Sequence, residues 1–384
     1  MSLKILFVTS NEPNQGDIYF KGLKTILGDR IIEYPYKPLL HLSYEGERLV
    51  GRSLDGNIVI EENNFGELIN RKDQWRVPKY FGYINSEKYP YGANELPDLS
   101  EFDVVVVNFL RSNKYVVKKI LSNSDLKKPL FFLDGEDDPF VRAIILFKVV
   151  KKYFKREFLS SPFVDKYYFL RWSRFYLSSH IKSSFDVDSL LFPSIIRVPK
   201  LEQLSLTVGS LNPFKIPKNK IYDISFIAFP SNPLRVKLYS FLKSYAKKNK
   251  LKALLLLMDK HSSLIGGNLR VVPHEKYAKI IANSKLSFAV QGAGFDTYRY
   301  WEIPFYGSTL VSQKPYIFIE NNFVDDESAI FFRNFEELER KLDYYLLKDK
   351  WETICKNGQI HFLKYHTYIH RAIKILRVIE KFFK

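Results

Sequence analysis

The 384-residue sequence predicts an α/β protein built from two tandem Rossmann-like, doubly wound domains. Three observations carry that prediction. Apolar runs such as KILFVT (4–9), VVVVNF (104–109) and LSFAV (286–290) lack the alternation of half-exposed strands, so they read as strands buried on both faces of a parallel sheet. Helix-like stretches separate these runs. The pattern lapses over 201–221, where Pro, Gly and Asn gather, and then restarts.

Taken in order, the first strand at 4–9 leads through a loop ending at Gly16 into a helix near 17–28, and IIEYPY follows as a strand. ERLVGRSLDGNIVIEE (47–62) reads as a β-hairpin turning at Asp55-Gly56, a pair that tolerates the positive φ of such turns. With the Tyr- and Pro-rich 75–100 it forms an insertion near 45–100. A strand at 104–109, an amphipathic helix at 114–122, a strand at 129–134 and a helix over 139–151 belong to the first domain, 1–205. Residues 206–221 are the expected linker. The second domain, 222–362, opens with DISFIAF and a helix from about 233. It continues through ALLLLM, a helix near 274–283, LSFAV, a glycine turn with a short helix, STLVS, AIFF (329–332) and helical segments to the end.

Composition narrows the function. Hydrophobic residues make up 46% and charged residues 26%, an ordinary globular balance, and no uninterrupted apolar stretch reaches membrane-spanning length. The apolar start is too short for a signal-peptide core. A single cysteine, Cys355, excludes an internal disulfide framework and a CxxC site, and fits a reducing, cytoplasmic compartment. The net charge of +17 calls for a phosphorylated substrate, an anionic lipid surface or nucleic acid, unless it is simply a solvated basic surface. The basic, aromatic segment 148–182 fits peripheral contact with the inner face of an anionic membrane. It also fits single-stranded nucleic acid, the least favoured partner, or a core-packed amphipathic helix.

The stretch GAGFDTYRYWEIPFYGSTLV (292–311) carries the sharpest chemical signal. A strand, a glycine turn and a helix start form the kind of place where open α/β sheets bind ligands. Gly292 and Gly294 let backbone approach a ligand, and Asp296 or Thr297 can cap the helix. The helix amides, Thr297 and Arg299 would then favour a diphosphate, while Glu302, one turn on, can accept hydrogen bonds from a ribose diol. Pro304 limits the helix and Gly307 closes it. The competing reading is a surface ion pair between Arg299 and Glu302.

Here the sequence resembles a known family. HEKYAKIIANSKLSFAVQGAG, TYRYWEIPFYGSTLVSQKP, ESAIFFRNFEELERKLDYYLLKD and KNGQIHFLKYHTYIHRA, within 274–380, look like the C-terminal domain of GT-B glycosyltransferases. The subset is the group 1 family that includes spore maturation protein B-like enzymes. The family pattern of Thr, Arg, Glu and then Gly falls on Thr297, Arg299, Glu302 and Gly307. DISFIAFPSNPLRVKLYSFL (223–242) is similar to the start of such a domain, with Ser231, Arg235 and Lys237 toward the donor phosphates. The resemblance implies two domains facing an interdomain cleft, with 363–384 packing back toward the N-terminal domain. It implies a transferase moving a sugar from a nucleotide-diphosphate donor to the hydroxyl of a glycan, lipid-linked or protein acceptor, in surface glycan or glycoconjugate synthesis, without a metal or other cofactor. One departure stands out. Retaining GT-B enzymes often carry two glutamates eight positions apart, and where Glu302 is the second, the first position is Gly294. Retention and inversion both stay open. A non-catalytic binder of nucleotide sugar or glycan and a nucleotide-sugar epimerase are the alternative readings.

Other constellations are weaker. TSNEPNQGD (9–17) lacks the GxGxxG of a dinucleotide site. Glu12 or Asp17 could serve as general base on the acceptor, and Asp17 could equally cap the first helix. Asp134, Glu136, Asp137 and Asp138 follow a strand and could sit in the acceptor cleft, bind a cation or form a solvated turn. His366 and His370 lie one helical turn apart without a third zinc ligand, which favours packing, and His274 reads as a helix-start residue.

Overall fold

The computed structural model describes residues 3–10, 12–64, 66–72, 76–85, 89–92, 95–110, 113–123, 126–160, 170, 172–173, 176, 189–258 and 272–384. The chain forms two compact units. Unit 1 comprises Met1–Ser205, Tyr316–Ile319 and Tyr368–Lys384; unit 2 comprises Leu206–Pro315 and Glu320–Thr367. Residues 206–221, the expected linker, thus lie within unit 2, where Phe214 N–H donates to Phe305 O and Ile216 packs on the core.

Unit 1 begins with β1 (Ile5–Val8), helix α1 (Gln15–Leu27) and β2 (Ile31–Tyr34). The insertion follows as β3 (Leu42–Glu45), β4 (Arg48–Arg52), β5 (Ile58–Glu62), β6 (Glu67–Asn70) and β7 (Arg76–Pro78), an antiparallel sheet in sequential order. Its β4–β5 turn contains Gly56 at φ 85°, as the Asp-Gly signal predicts. Then come β8 (Val104–Phe109), α2 (Lys114–Leu121), β9 (Leu130–Asp134), β10 (Phe140–Arg142), β11 (Val150–Lys155), β12 (Leu190–Pro193) and β13 (Leu201–Gln203). The main sheet is parallel in the order β13-β11-β9-β8-β1-β2. Its central strands are fully buried, which explains their unbroken apolar runs.

One segment departs from expectation. Residues 139–151 do not form a helix: β10 pairs antiparallel with β12, Ala143–Leu146 is a 3-10 turn, and β11 begins at Val150. The cause is electrostatic. The Arg142 guanidinium is fully buried, donates to Asp138 at 2.6 Å and lies 3.4 Å from Asp134, the last residue of β9, which ties β10 to the end of that strand. Much of 148–182 lies outside the described residues. Its described start is β11, whose inner residues Tyr153, Phe154 and Lys155 are buried in the sheet.

Unit 2 contains β14 (Tyr222–Ala228), α3 (Pro233–Lys248), β15 (Ala253–Leu257), α4 (His274–Ala282), β16 (Ser284–Ala289), α5 (Tyr298–Phe305), β17 (Thr309–Gln313), β18 (Ile330–Phe332), α6 (Phe335–Leu342) and α7 (Trp351–Tyr365). Its sheet is parallel in the order β15-β14-β16-β17-β18. The last helix, α8 (Tyr368–Phe383), belongs to unit 1, where Ala372, Ile375, Leu376 and Ile379 pack on Tyr19, Phe20, Leu23 and Leu27 of α1. The two helices cross closely at Gly22, where a Cβ would stand 2.7 Å from Tyr368 O. Among the described residues, no helix is long and apolar enough to cross a membrane.

Candidate functional site

The site follows from the strand order of unit 2. The chain leaves β14 toward β15 on one side and returns to β16 on the other, so the loops after β14 and β16 diverge at the carboxyl ends of the sheet. Open α/β sheets bind ligands at such a switch point. From the β14 side comes Asn232, which caps α3 by accepting from Leu234 N–H at 2.9 Å. One turn along is Arg235, buried at 6% exposure. Its guanidinium donates to Gln291 O at 3.0 Å, Phe229 O at 3.2 Å, Val290 O at 3.3 Å and Ser231 Oγ at 3.1 Å. All four acceptors are neutral, so the cation is tied in place without being neutralised.

From the β16 side comes the glycine turn. A Cβ on Gly292 would stand 2.7 Å from Arg235 Nη2, so this glycine makes room for the arginine. Gly292 N–H in turn donates to Gly294 O at 2.9 Å. Asp296 does not cap α5. Its buried carboxylate accepts from Leu206 N–H and Trp301 Nε1, both at 2.7 Å, and so anchors the turn to the body of unit 2. Thr297 is the N-cap by backbone conformation and its hydroxyl makes no capping bond. Pro304 is accommodated inside the last turn of α5, and Gly307 follows at φ 78° with Ile216 where a side chain would go.

Arg299 and Glu302 share one neighbourhood. Arg299 Nε is buried without a hydrogen-bond partner, and its guanidinium lies 5.9 Å from the Tyr277 ring centroid. Burial, and secondarily the positive charge of Arg299, push Arg235 down to about 10. Two guanidiniums from opposite sides of the switch point therefore repel each other. Glu302 is buried at 6% exposure, 3.5 Å from His274 Nε2. The Tyr277 phenol is pushed well above its usual value by burial and then by Glu302, with Arg299 opposing. His274, Tyr277 and Tyr306 surround this carboxylate as an aromatic cluster. Glu302 is therefore an inward-facing residue, unlike the solvent-exposed partner of a surface ion pair.

Sequence comparison bears on the same region: residues 253–377 match the family described as glycosyl transferase-like. The whole chain also resembles solved structures. Sucrose-phosphate synthase from Thermosynechococcus elongatus is similar at a TM-score of 0.52 and 9% identity, over 99% of this chain and 99% of that one. A glycosyltransferase from Rickettsia africae ESF-5 is similar at 0.51 and 12% identity, over 100% and 99%. Identities this low speak to the fold alone. The chain shares their fold, two Rossmann-like α/β units, and its glycosyl transferase-like match is confined to residues 253–377. No curated protein sequence matches it.

The residues of the N-terminal half expected to do acid–base work are placed differently. Asp17 is fully buried, accepts from Asn14 N–H at 2.9 Å in a capping box, and pairs with the buried Lys37 Nζ at 2.6 Å. Burial pushes its carboxyl up while Lys37 opposes the shift. Both oxygens are engaged: Asn14, not Asp17, is the N-cap of α1, and Asp17 closes its capping box from the third helical position. Glu12 has an exposed side chain, and its carbonyl accepts from Lys37 Nζ at 2.6 Å. Asp134 and Asp138 are buried against Lys155 and Arg142, and Tyr153 Oη donates to Asp134. Asp137 pairs with Arg156, and Glu136 N–H donates to Asp134 Oδ1 at 3.0 Å. Two acids facing two cations form a closed network with no room for a hard metal ion. Among the described residues, no group of three His, Cys, Asp or Glu side chains is placed to hold a metal.

In the C-terminal segment, His366 packs. His366 is fully buried, its ring 4.8 Å from Trp301 and its Nε2 2.7 Å from Asn321 O. Sequence reading missed Tyr277 and Asn232 as parts of the site. The available signals were the three-residue spacing of His274 and Tyr277 on one helix face, and an Asn immediately before Pro233.

Proposed function

We propose that the chain is a glycosyltransferase whose unit 2 binds the diphosphate of a nucleotide sugar at the switch point, and that it moves the sugar to an acceptor hydroxyl of a glycan or glycoconjugate. The observation that carries this reading is the opposed pair Arg235 and Arg299, two cations from different crossovers that form no ion pair with an acid among the described residues. A bound diphosphate would turn their repulsion into two charge-assisted contacts. The uncapped amides at the start of α5 and the Thr297 hydroxyl add donors on the same side. Glu302, held by His274 and Tyr277, is assigned to the ribose diol. In this scheme the two arginines and the helix end stabilise negative charge as the diphosphate departs, which is electrostatic catalysis by groups already in place.

Thermal melting with UDP, GDP, ADP and pyrophosphate tests the proposal. Pyrophosphate and at least one nucleoside diphosphate are expected to raise Tm, because a ligand that binds only the native state stabilises it. A panel in which none does so would overturn it. The net charge of +17 also supports operation at an anionic lipid surface. Co-sedimentation with phosphatidylglycerol vesicles, lost at high salt and absent with phosphatidylcholine, is the expected result, and equal sedimentation with both lipids would refute it.

A further inference from the structure

At the amino ends of its strands, unit 1 carries an exposed apolar tip flanked by lysines. The parallel neighbours β13, β11 and β9 enter the sheet from the same end, so the residues just before each of them lie side by side. Before β11 come the 3-10 turn Ala143–Leu146 and then Phe147, Lys148 and Val149. Ala143, Ile144 and Ile145 are buried, whereas Leu146 and Phe147 are 64% and 44% exposed. The tip is firmly built. Phe147 N–H donates to Ile144 O at 3.0 Å, Val150 N–H to Phe147 O at 3.1 Å and Leu130 N–H to Val149 O at 2.9 Å. Lys200, just before β13, braces it from the side by donating from Nζ to Ile145 O at 3.3 Å.

Helix α8 brings a third apolar group to this end of the sheet. Phe382 is 43% exposed, meets Phe131 near the start of β9 edge-on at 6.2 Å, and has Lys151 Nζ 5.1 Å from its ring centroid. Lys148 adjoins the tip, Lys381 adjoins Phe382 and Lys127 leads into β9. All three are exposed and form no ion pair among the described residues. Of the acids nearby, Glu202 of β13 is taken up by Lys152 Nζ at 2.8 Å, and Glu380 is the only acid of α8. At the neighbouring entries to β8 and β1 the charges balance instead, where Lys4 donates to Asp103 through its N–H and to Glu101 through Nζ. The basic excess is thus local to the apolar tip.

Exposed apolar residues scattered singly need no partner, but two in succession on a braced tip, with an aromatic ring on the adjoining helix, call for one. We propose that this end of unit 1 is a membrane-docking face. Leu146 and Phe147 enter the boundary between headgroups and acyl chains of an anionic bilayer, Phe382 rests at the interface, and the lysines meet lipid phosphates. The docking face presupposes that the chain works at an anionic lipid surface, and it assigns the part of the molecule that meets that surface. A bilayer fits because it offers an apolar interior directly beneath negative headgroups, the same pairing in complement. A nucleic acid would answer the lysines and leave Leu146 without an apolar contact. The face lies at the amino ends of the strands, so docking leaves the carboxyl ends of this sheet, where ligands ordinarily bind, open.

The test is sedimentation of the full chain with phosphatidylglycerol vesicles, without nucleotide, for the parent and for the double variant Leu146→Ser/Phe147→Ser. The parent is expected to bind. The double variant is expected to partition at least about thirtyfold more weakly with an unchanged melting curve, because both positions are exposed. Lys148→Ala should weaken binding about fivefold, and Ile360→Ser, at a 62% exposed residue of unit 2, should leave it unchanged. Leu146→Trp reads the face even if the double variant folds poorly. Its added emission is expected to shift to the blue on vesicles and to be quenched by dibrominated phosphatidylglycerol beyond the parent's. A double variant that sediments like a binding parent would overturn the docking face and leave the lipid reading intact, whereas a parent that does not bind would overturn both. A parent dimer that the double variant loses, with no vesicle binding, would assign the tip to a second copy of the chain and overturn the proposal. No arm uses nucleotide, so failure of the diphosphate site is read separately.

Discussion

Replacing Arg299 with methionine separates a ligand-binding cation from a structural one. Arg299 Nε is buried and unbonded, and its charge adds to burial in holding Arg235 down at about 10, well below its ordinary value. A shift of that size corresponds to about 3 kcal/mol. Burial is its larger cause, so the part due to Arg299 is at most about half, and partial exposure of Arg299 reduces it further. Removing the charge is therefore expected to leave the free protein as stable as the parent or up to about 1 kcal/mol more stable, a Tm change of no more than a few degrees. Binding responds in the opposite direction. Loss of one charge-assisted contact, about 1.5–3 kcal/mol, weakens pyrophosphate and nucleoside diphosphates about tenfold to a hundredfold. Ligand-free melting and isothermal titration read the two effects separately. A variant that loses more than about 1 kcal/mol of stability while binding pyrophosphate as tightly as the parent would show that Arg299 serves the helix and not a ligand.

Glu302→Gln is expected to weaken a nucleoside diphosphate about tenfold and to leave pyrophosphate affinity unchanged, because only the former carries a ribose; equal losses for both ligands would contradict the ribose role. Asp17→Ala strands Lys37 in the interior of unit 1 and should cost about 3–5 kcal/mol in denaturant unfolding, whereas Glu12→Gln at an exposed position should stay within about 0.5 kcal/mol. Burial pushes Lys220 down to about 8, so folding favours its neutral form, and the associated stability is present above its ordinary 10.5 and lost as pH falls through 8. Cys355, pushed up to about 11 chiefly by burial, acts with the opposite sign from its ordinary 9.0 upward. Stability should thus rise between pH 8 and 9, and Lys220→Met should reduce that rise in melting curves taken across the interval, leaving the part due to Lys21, which burial also pushes down to about 8.

The parallel strands were legible because a strand covered on both faces must be apolar at every position, as Val104–Phe109 and Leu130–Asp134 nearly are. The hairpin was legible because Asp55-Gly56 encodes its own backbone geometry. Residues 139–151 misled because their apolar spacing also suits a helix. What settles their conformation is the contact of Arg142 and Lys155 with Asp134 and Asp138, and a buried ion pair between separate strands leaves no periodic trace. The same holds for Asp17, whose partner Lys37 lies beyond the next strand. At the candidate site the glycine turn and the Thr297–Arg299–Glu302 pattern were visible locally. The approach of Arg235 to Arg299, and the role of Gly292 in admitting the former, depend on strand order and so required the fold.

The placement of α8 has a consequence for biogenesis. Unit 2 is encoded wholly between residues 206 and 367, while the apolar flank of α1 waits for Ala372, Ile375 and Ile379. During synthesis the later-made half can therefore finish folding before the earlier one. Until residues 368–383 leave the ribosome, the nascent N-terminal half presents an uncovered greasy stripe, the kind of transiently exposed surface that invites aggregation.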